Sequence, residues 1–196
     1  VSVQIAKSDT SSLPANAQSE LINAVVYDFN VSVDGQPINQ FNGRDDVNIS
    51  VPYELKPGEN PNKVVIYFVN ELGELEVVKN SRYNAETGMV EFKPKYNGTY
   101  AAAHVEASFT DVSQAWAIDA IDALAARGIV NGIGEGRFNP EGNVTRAEFI
   151  TMIMNVFDLM NKEAMTTLSD VKTGAWYHAQ IATAQELGIV KGRTDG

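Results

Sequence analysis

A cation in the first turn of a helix opposes the helix dipole by ~0.3–1 kcal/mol, and Arg146 stands in such a place. Thr145 and Glu148 on either side of it fit a capping box, in which the Thr hydroxyl takes the N–H of residue 148 and the Glu carboxylate takes that of residue 145. That pair reads as a helix start. Stability of the start alone favours Asp or Glu at 146, so the guanidinium is expected to meet an acid from outside the helix or an anionic ligand. Trp116 and Trp176 are the only tryptophans of the chain. Each either packs in a core or offers a flat apolar face with a hydrogen-bonding edge, suited to stacking on a sugar ring. Asp111 and Asp170 either cap local backbone N–H groups or accept from ligand hydroxyls, and a capping acid has lone pairs for both.

These residues belong to a pattern that comes round again. Phe109-Thr110-Asp111-Val112 returns as Leu168-Ser169-Asp170-Val171, Trp116 as Trp176, and Gly128-Ile129-Val130-Asn131-Gly132 as Gly188-Ile189-Val190-Lys191-Gly192. The offset is about 60 residues, and a fixed period identifies a unit meant to stack on copies of itself. Ser113 is the expected N-cap of a helix that aligns Ala117, Ile121 and Leu124 along one face, and Gly128 supplies the left-handed residue that ends it. Gly132, Gly134 and Gly136 read as a tight turn needing positive φ. A calcium loop starting at Asn131 would place Ile133 and Gly142 where oxygen ligands are required, so no metal is expected there. In the helix after Thr145, Phe149, Ile153, Val156, Phe157 and Met160 are expected to form a buried stripe, and Ile150, Met152 and Met154 make it apolar on further sides.

The order of an aromatic or Leu, one residue, Asp-Val, a Trp, G-I-V-x-G, F-x-P and T-R-A-E resembles the S-layer homology (SLH) domain of bacterial cell-surface proteins. The resemblance covers 108–167 as a complete repeat and 168–196 as the truncated front half of a second, a little under half the chain.

Before residue 108 the sequence changes character. Short alternating runs rich in Val, Ile, Tyr and Phe occur at 25–33, 47–51, 63–69, 75–78, 89–92 and 99–105, punctuated by Asp34-Gly35, Lys56-Pro57-Gly58, Glu71-Leu72-Gly73 and Glu86-Thr87-Gly88. Such runs predict an antiparallel sandwich or barrel, with tight hairpin loops at 70–74 and 85–88. Residues 8–23 are a loop or a short helix. The fold class expected is multidomain: an all-β immunoglobulin-like sandwich over 1–107, then all-α SLH helical repeats.

The 196 residues are 44% apolar, enough for a core and more than one domain, and no apolar run has the length of a membrane span. No membrane insertion is expected. Any export signal lies outside this sequence, whose start lacks a basic stretch followed by an apolar one. There is no cysteine, which excludes disulfides, thiolate metal sites and cysteine nucleophiles, and His104 and His178 cannot alone make a typical zinc site. With 15 basic residues against 25 acidic and a formal charge of −10, the chain repels a phosphate backbone, so nucleic acid is not expected as a partner. No catalytic residues are expected: His104 lies in an alternating strand pattern, and the adjacent acids Asp45 and Asp46 read as a solvated turn.

The resemblance implies more. SLH repeats assemble in threes as a pseudo-threefold helical bundle whose grooves hold secondary cell-wall polysaccharide, often carrying a ketal pyruvate. By position, Asp111, Trp116, Gly132, Arg146, Glu148, Asp170 and Trp176 correspond to polysaccharide-binding residues, with Thr145 and Gly128 in capping roles and no cofactor. An Arg can grip a pyruvate carboxylate with two parallel N–H bonds. The function implied is non-covalent anchoring of an exported protein at the cell wall, with the β module as spacer. Alternatives are the anchoring part of a surface polysaccharide hydrolase whose catalytic domain lies outside this chain, and a structural S-layer lattice protein. Since one and a half repeats cannot close a threefold anchor, weak glycan binding and self-association through the open helix faces are expected of this chain alone.

Overall fold

The computed structural model describes residues 2–38, 41 and 47–192, so the Asp45-Asp46 pair lies outside the described residues. The chain forms two compact units, one of 1–109 with 113–127, the other of 110–112 with 128–196.

The first unit is built on strands β1 (Ser2–Ser8), β2 (Val25–Val33), β3 (Gln36–Pro37), β4 (Ile49–Pro52), β5 (Val64–Val69), β6 (Leu75–Val78), β7 (Arg82–Asn84), β8 (Met89–Phe92) and β9 (Gly98–His104). A larger sheet runs β1-β2-β9-β5-β6, with β3 paired to β2; a smaller one runs β4-β8-β7. Every pairing is antiparallel, and β9 is central, joining Val25 to Ala102 on one side and Val64 to His104 on the other. Residues of both sheets, among them Tyr27, Phe29, Val51, Ile66, Val90, Phe92 and Tyr100, make one apolar core. Tyr100 donates its O–H to the Tyr96 carbonyl, and burial pushes its pKa up to about 12.

The opposite face of the large sheet is also covered. Helix α1 (Ala15–Glu20) and its flanks place Leu13, Ala17 and Leu21 against Val26, Val69 and Ala101. Two buried faces explain why β5 and β9 hold continuous apolar runs, with Val64, Val65, Ile66, Ala101 and Ala102 all fully buried. A second helix, α2 (Ala115–Ala126), also counts with this unit. It meets the 3-10 turn Pro61–Lys63 through a 2.8 Å ion pair between Lys63 Nζ and Asp122 Oδ2. The Arg127 guanidinium just beyond it donates to the carbonyls of Asn62 at 2.8 Å and Ser81 at 2.9 Å.

In the second unit, α3 (Arg146–Val156) lies against α4 (His178–Glu186). The chain from 157 to 177 contains no helix or strand. It is fixed by α4 side chains: Thr183 Oγ1 accepts the Asn161 N–H at 3.1 Å, and Gln185 Oε1 accepts the Thr167 N–H at 3.1 Å.

The expected fold class is therefore corrected in both halves. An N-terminal β module is present but is not all-β, because the outer face of its large sheet is apolar and needs the cover of α1. The region that resembles SLH repeats is not all-α. Left-handed residues at Gly128, Gly134, Glu135, Gly136, Asn139 and Asp158 divert the backbone from the helical region, and a bridge pairs Gly134 with Arg137. Two finer expectations also fail. The N-cap of α2 is Gln114 rather than Ser113. The stripe through Phe149, Val156, Phe157 and Met160 is exposed, Phe149 by 55% and Phe157 by 65%, and Met154 is the buried residue of α3. A helix apolar on several sides does not declare which side its neighbour takes.

Candidate functional site

The start of α3 is built as its sequence dictates. Thr145 Oγ1 accepts the Glu148 N–H at 3.2 Å, and Glu148 Oε2 accepts the Thr145 N–H at 2.7 Å and the Thr145 hydroxyl at 2.8 Å. The Thr145 N–H, and then its hydroxyl, hold the Glu148 carboxyl below its usual pKa. Glu148 is thus occupied within its own helix start.

Arg146 is exposed at the first position of this helix and forms no ion pair among the described residues. It lines a groove of about 780 Å³ whose walls come from the start of α3, residues 167–171, the start of α4 and residues 189–192. Ile150, Ile181 and Ile189 supply apolar surface, and Ser169, Asp170, Tyr177 and Lys191 supply polar groups. Asp170 and Lys191 are exposed. Two cations and one acid in a concave, partly apolar setting suit an anionic ligand with an apolar body and hydroxyl groups. At Gly192 an added Cβ would come within 2.8 Å of Leu168 Cδ2, so the turn approaches the opposite wall closely.

The remaining expected residues lie elsewhere or do other work. Asp111 receives the N–H of Phe138 on Oδ1 at 2.8 Å and that of Asn139 on Oδ2 at 2.7 Å, so it fastens the extended piece before Pro140. The Phe138 N–H is the main cause of its lowered pKa, against desolvation that acts in the opposite sense. Thr110 N–H donates to the Gly136 carbonyl at 2.9 Å beside it. Gly128 adopts φ 62° at the end of α2; Gly134 and Gly136 are left-handed, and Gly132 is exposed without being among the positive-φ residues. Neither tryptophan is in a core. Trp116, in the first unit, is 85% exposed, and Trp176 is 62% exposed with its ring edge-on to Tyr177 at 5.2 Å. The structure thus gathers Arg146 and Asp170 in one groove, sets Trp176 against a residue of its wall, and leaves Asp111 and Gly132 off the groove's lining.

Lys191 and Tyr177 were not singled out from sequence. Lys191 occupies the variable position of the second G-I-V-x-G turn, where the first copy has Asn131, and that difference was the available signal.

The S-layer homology domain model matches residues 108–150 and 167–196. Among curated proteins, the chain is 31% identical over 144 residues to an amylopullulanase of Thermoanaerobacterium thermosulfurigenes, covering 74% of this chain and 8% of that protein. That match is longer than 108–196 and so extends into the β-strand half. The chain is 39% identical over 85 residues to endo-1,4-beta-xylanase A of Thermoanaerobacterium saccharolyticum, covering 43% of this chain and 7% of that one. It is 32% identical over 117 residues to the S-layer protein sap of Bacillus anthracis, covering 54% and 14%. The chain thus spans less than a tenth of the first two relatives. No solved structure matches. With both copies of the motif matched in the order read from its residues, the chain contains S-layer homology sequence at 108–150 and 167–196.

Proposed function

We propose that this chain is a non-catalytic anchoring segment that attaches an exported protein to the bacterial cell wall by binding an anionic wall polysaccharide in the groove at the start of α3. The observation that carries the reading is Arg146: exposed, without an ion pair among the described residues, and lining the same groove as Lys191, Asp170 and Tyr177. A carboxylate on the polymer, such as a ketal pyruvate, would take two parallel N–H donors of the guanidinium, while Asp170 accepts from sugar hydroxyls and Trp176 offers its exposed face to a ring. The SLH match and the S-layer relatives support location at the cell surface.

The test is retention of the full-length protein on purified cell walls. Arg146→Ala is expected to weaken retention by about tenfold or more, the loss of a charge-assisted bond worth ~1.5–3 kcal/mol, with Tm nearly unchanged. Unchanged retention, or a large fall in Tm, would return Arg146 to a structural role. Walls stripped chemically of pyruvate should retain the native protein as weakly as native walls retain the variant.

A second reading has its own support: the amylopullulanase match reaches beyond the SLH stretches. On that reading the β unit and the repeats travel together as part of a polysaccharide hydrolase, and anchoring remains the task of this part.

A further inference from the structure

Aligned from Trp116 on Trp176 to Gly128 on Gly188, α2 and α4 differ in where their polar side chains stand. Asp119, Asp122 and Arg127 of the first copy are Ala179, Ala182 and Leu187 in the second, whereas Thr183, Gln185 and Glu186 of the second are Ala123, Ala125 and Ala126 in the first. Each set is bonded to the chain that precedes its own copy. Asp122 pairs with Lys63 at 2.8 Å, with about a tenth of each side chain exposed. Asp119 Oδ1 accepts from Asn60 Nδ2 at 3.1 Å, and Arg127 reaches the carbonyls of Asn62 and Ser81. In α4, Thr183 and Gln185 hold the N–H groups of Asn161 and Thr167, and Glu186 Oε2 accepts from Asn161 Nδ2 at 3.0 Å.

We propose that the first helix of each copy carries a private polar address that seats it on the segment before its own repeat. In the first copy this makes α2 a docking helix for the β module, so that module and helix fold as one cooperative body ending at Arg127, inside the repeat. The buried pair selects rather than merely stabilises. Its net worth is small because both ions lose water, but a helix of the α4 pattern on the same surface would leave Lys63 buried without a partner, which is strongly unfavourable. The carbonyls of Asn62 and Ser81 would lose a guanidinium donor in the same exchange.

Hydrogen exchange followed by mass spectrometry on the whole chain tests this, and its outcome does not depend on glycan binding. Giving α2 the α4 pattern with Asp119→Ala, Asp122→Ala and Arg127→Leu together should accelerate exchange of the α2 amides roughly a hundredfold and leave those of α4 unchanged. Thr183→Ala with Gln185→Ala should do the reverse. If the triple variant loses β5 and β9 protection along with α2 while α4 keeps its own, the cooperative body is supported in its strongest form. Asp119→Ala alone, at an exposed position, should accelerate α2 by a smaller factor. Unchanged α2 exchange in the triple variant, or equal acceleration of α2 and α4, would overturn the proposal.

Discussion

Arg146 and Glu148 stand two residues apart at one helix start and meet opposite fates. Glu148 closes on Thr145 with three hydrogen bonds, two of them on its Oε2, so that oxygen is engaged before any ligand arrives. Arg146, on the same turn, is unpaired among the described residues. Thr145→Ala should therefore cost about 1 kcal/mol of stability, the usual worth of an N-cap, in a thermal melt, while altering wall retention only as far as the helix start frays. Asp111 belongs with Glu148 in this respect, since both are held below their ordinary pKa by backbone N–H donors. A carboxyl whose folded pKa is depressed contributes stability in full above its unfolded value of about 4, and loses it as pH falls through the lower folded value. Tm should thus decline below about pH 4, and Asp111→Asn should flatten that acid limb. An acid limb of the same slope in the variant would show that Asp111 is not a source of it.

At the scale of elements, what could be read from sequence depended on whether local pattern or tertiary partner decided the outcome. Strands β2, β6 and β8 run over the spans their alternation marks, and the hairpin loop between β5 and β6 closes with the Asn70 N–H on the Glu74 carbonyl at 3.1 Å. The capping box of α3 was legible because its two partners are three residues apart. Helix α1 was undecided because its sequence, ANAQSE, is polar and short; it exists because Leu13, Ala17 and Leu21 cover a sheet face far along the chain. Leu21→Ala should accordingly cost about 2–5 kcal/mol by denaturant melt, a loss out of proportion to a six-residue helix. A cost below about 1 kcal/mol would mean that α1 merely rests on the sheet. Strand β1 escaped notice for the opposite reason: it is an edge strand with Val3 and Ile5 exposed, so burial never imposed a strong pattern on it. The groove was half legible. Arg146 stood out by opposing its helix dipole, but Lys191 and Tyr177 join it only through the packing of α4, which no local spacing encodes.

For the molecule as a whole, a charge of −10 sets long range against short range. On the proposed function, an anionic polymer approaching the chain would be repelled by the net charge and would meet Arg146 and Lys191, which line the groove, only at contact. Salt acts differently on the two. The Debye length shrinks from about 30 Å at 0.01 M to about 8 Å at 0.15 M, which removes most of the repulsion felt across the protein's width but weakens a guanidinium–carboxylate contact less, because that pair is closer than either length. Raising ionic strength over this range should therefore speed association with immobilised wall polysaccharide, and dissociation should quicken only modestly, so that affinity holds or rises. This is the reverse of the behaviour of a basic protein on a polyanion, whose binding falls steeply with salt. Surface plasmon resonance at several salt concentrations separates the two rates. An association rate that falls with salt would mean that the field of the groove, rather than the net charge, governs approach. Arg146→Ala supplies the internal check: it should raise the dissociation rate while leaving the salt dependence of association almost intact, because one charge in a net of ten scarcely changes the far field.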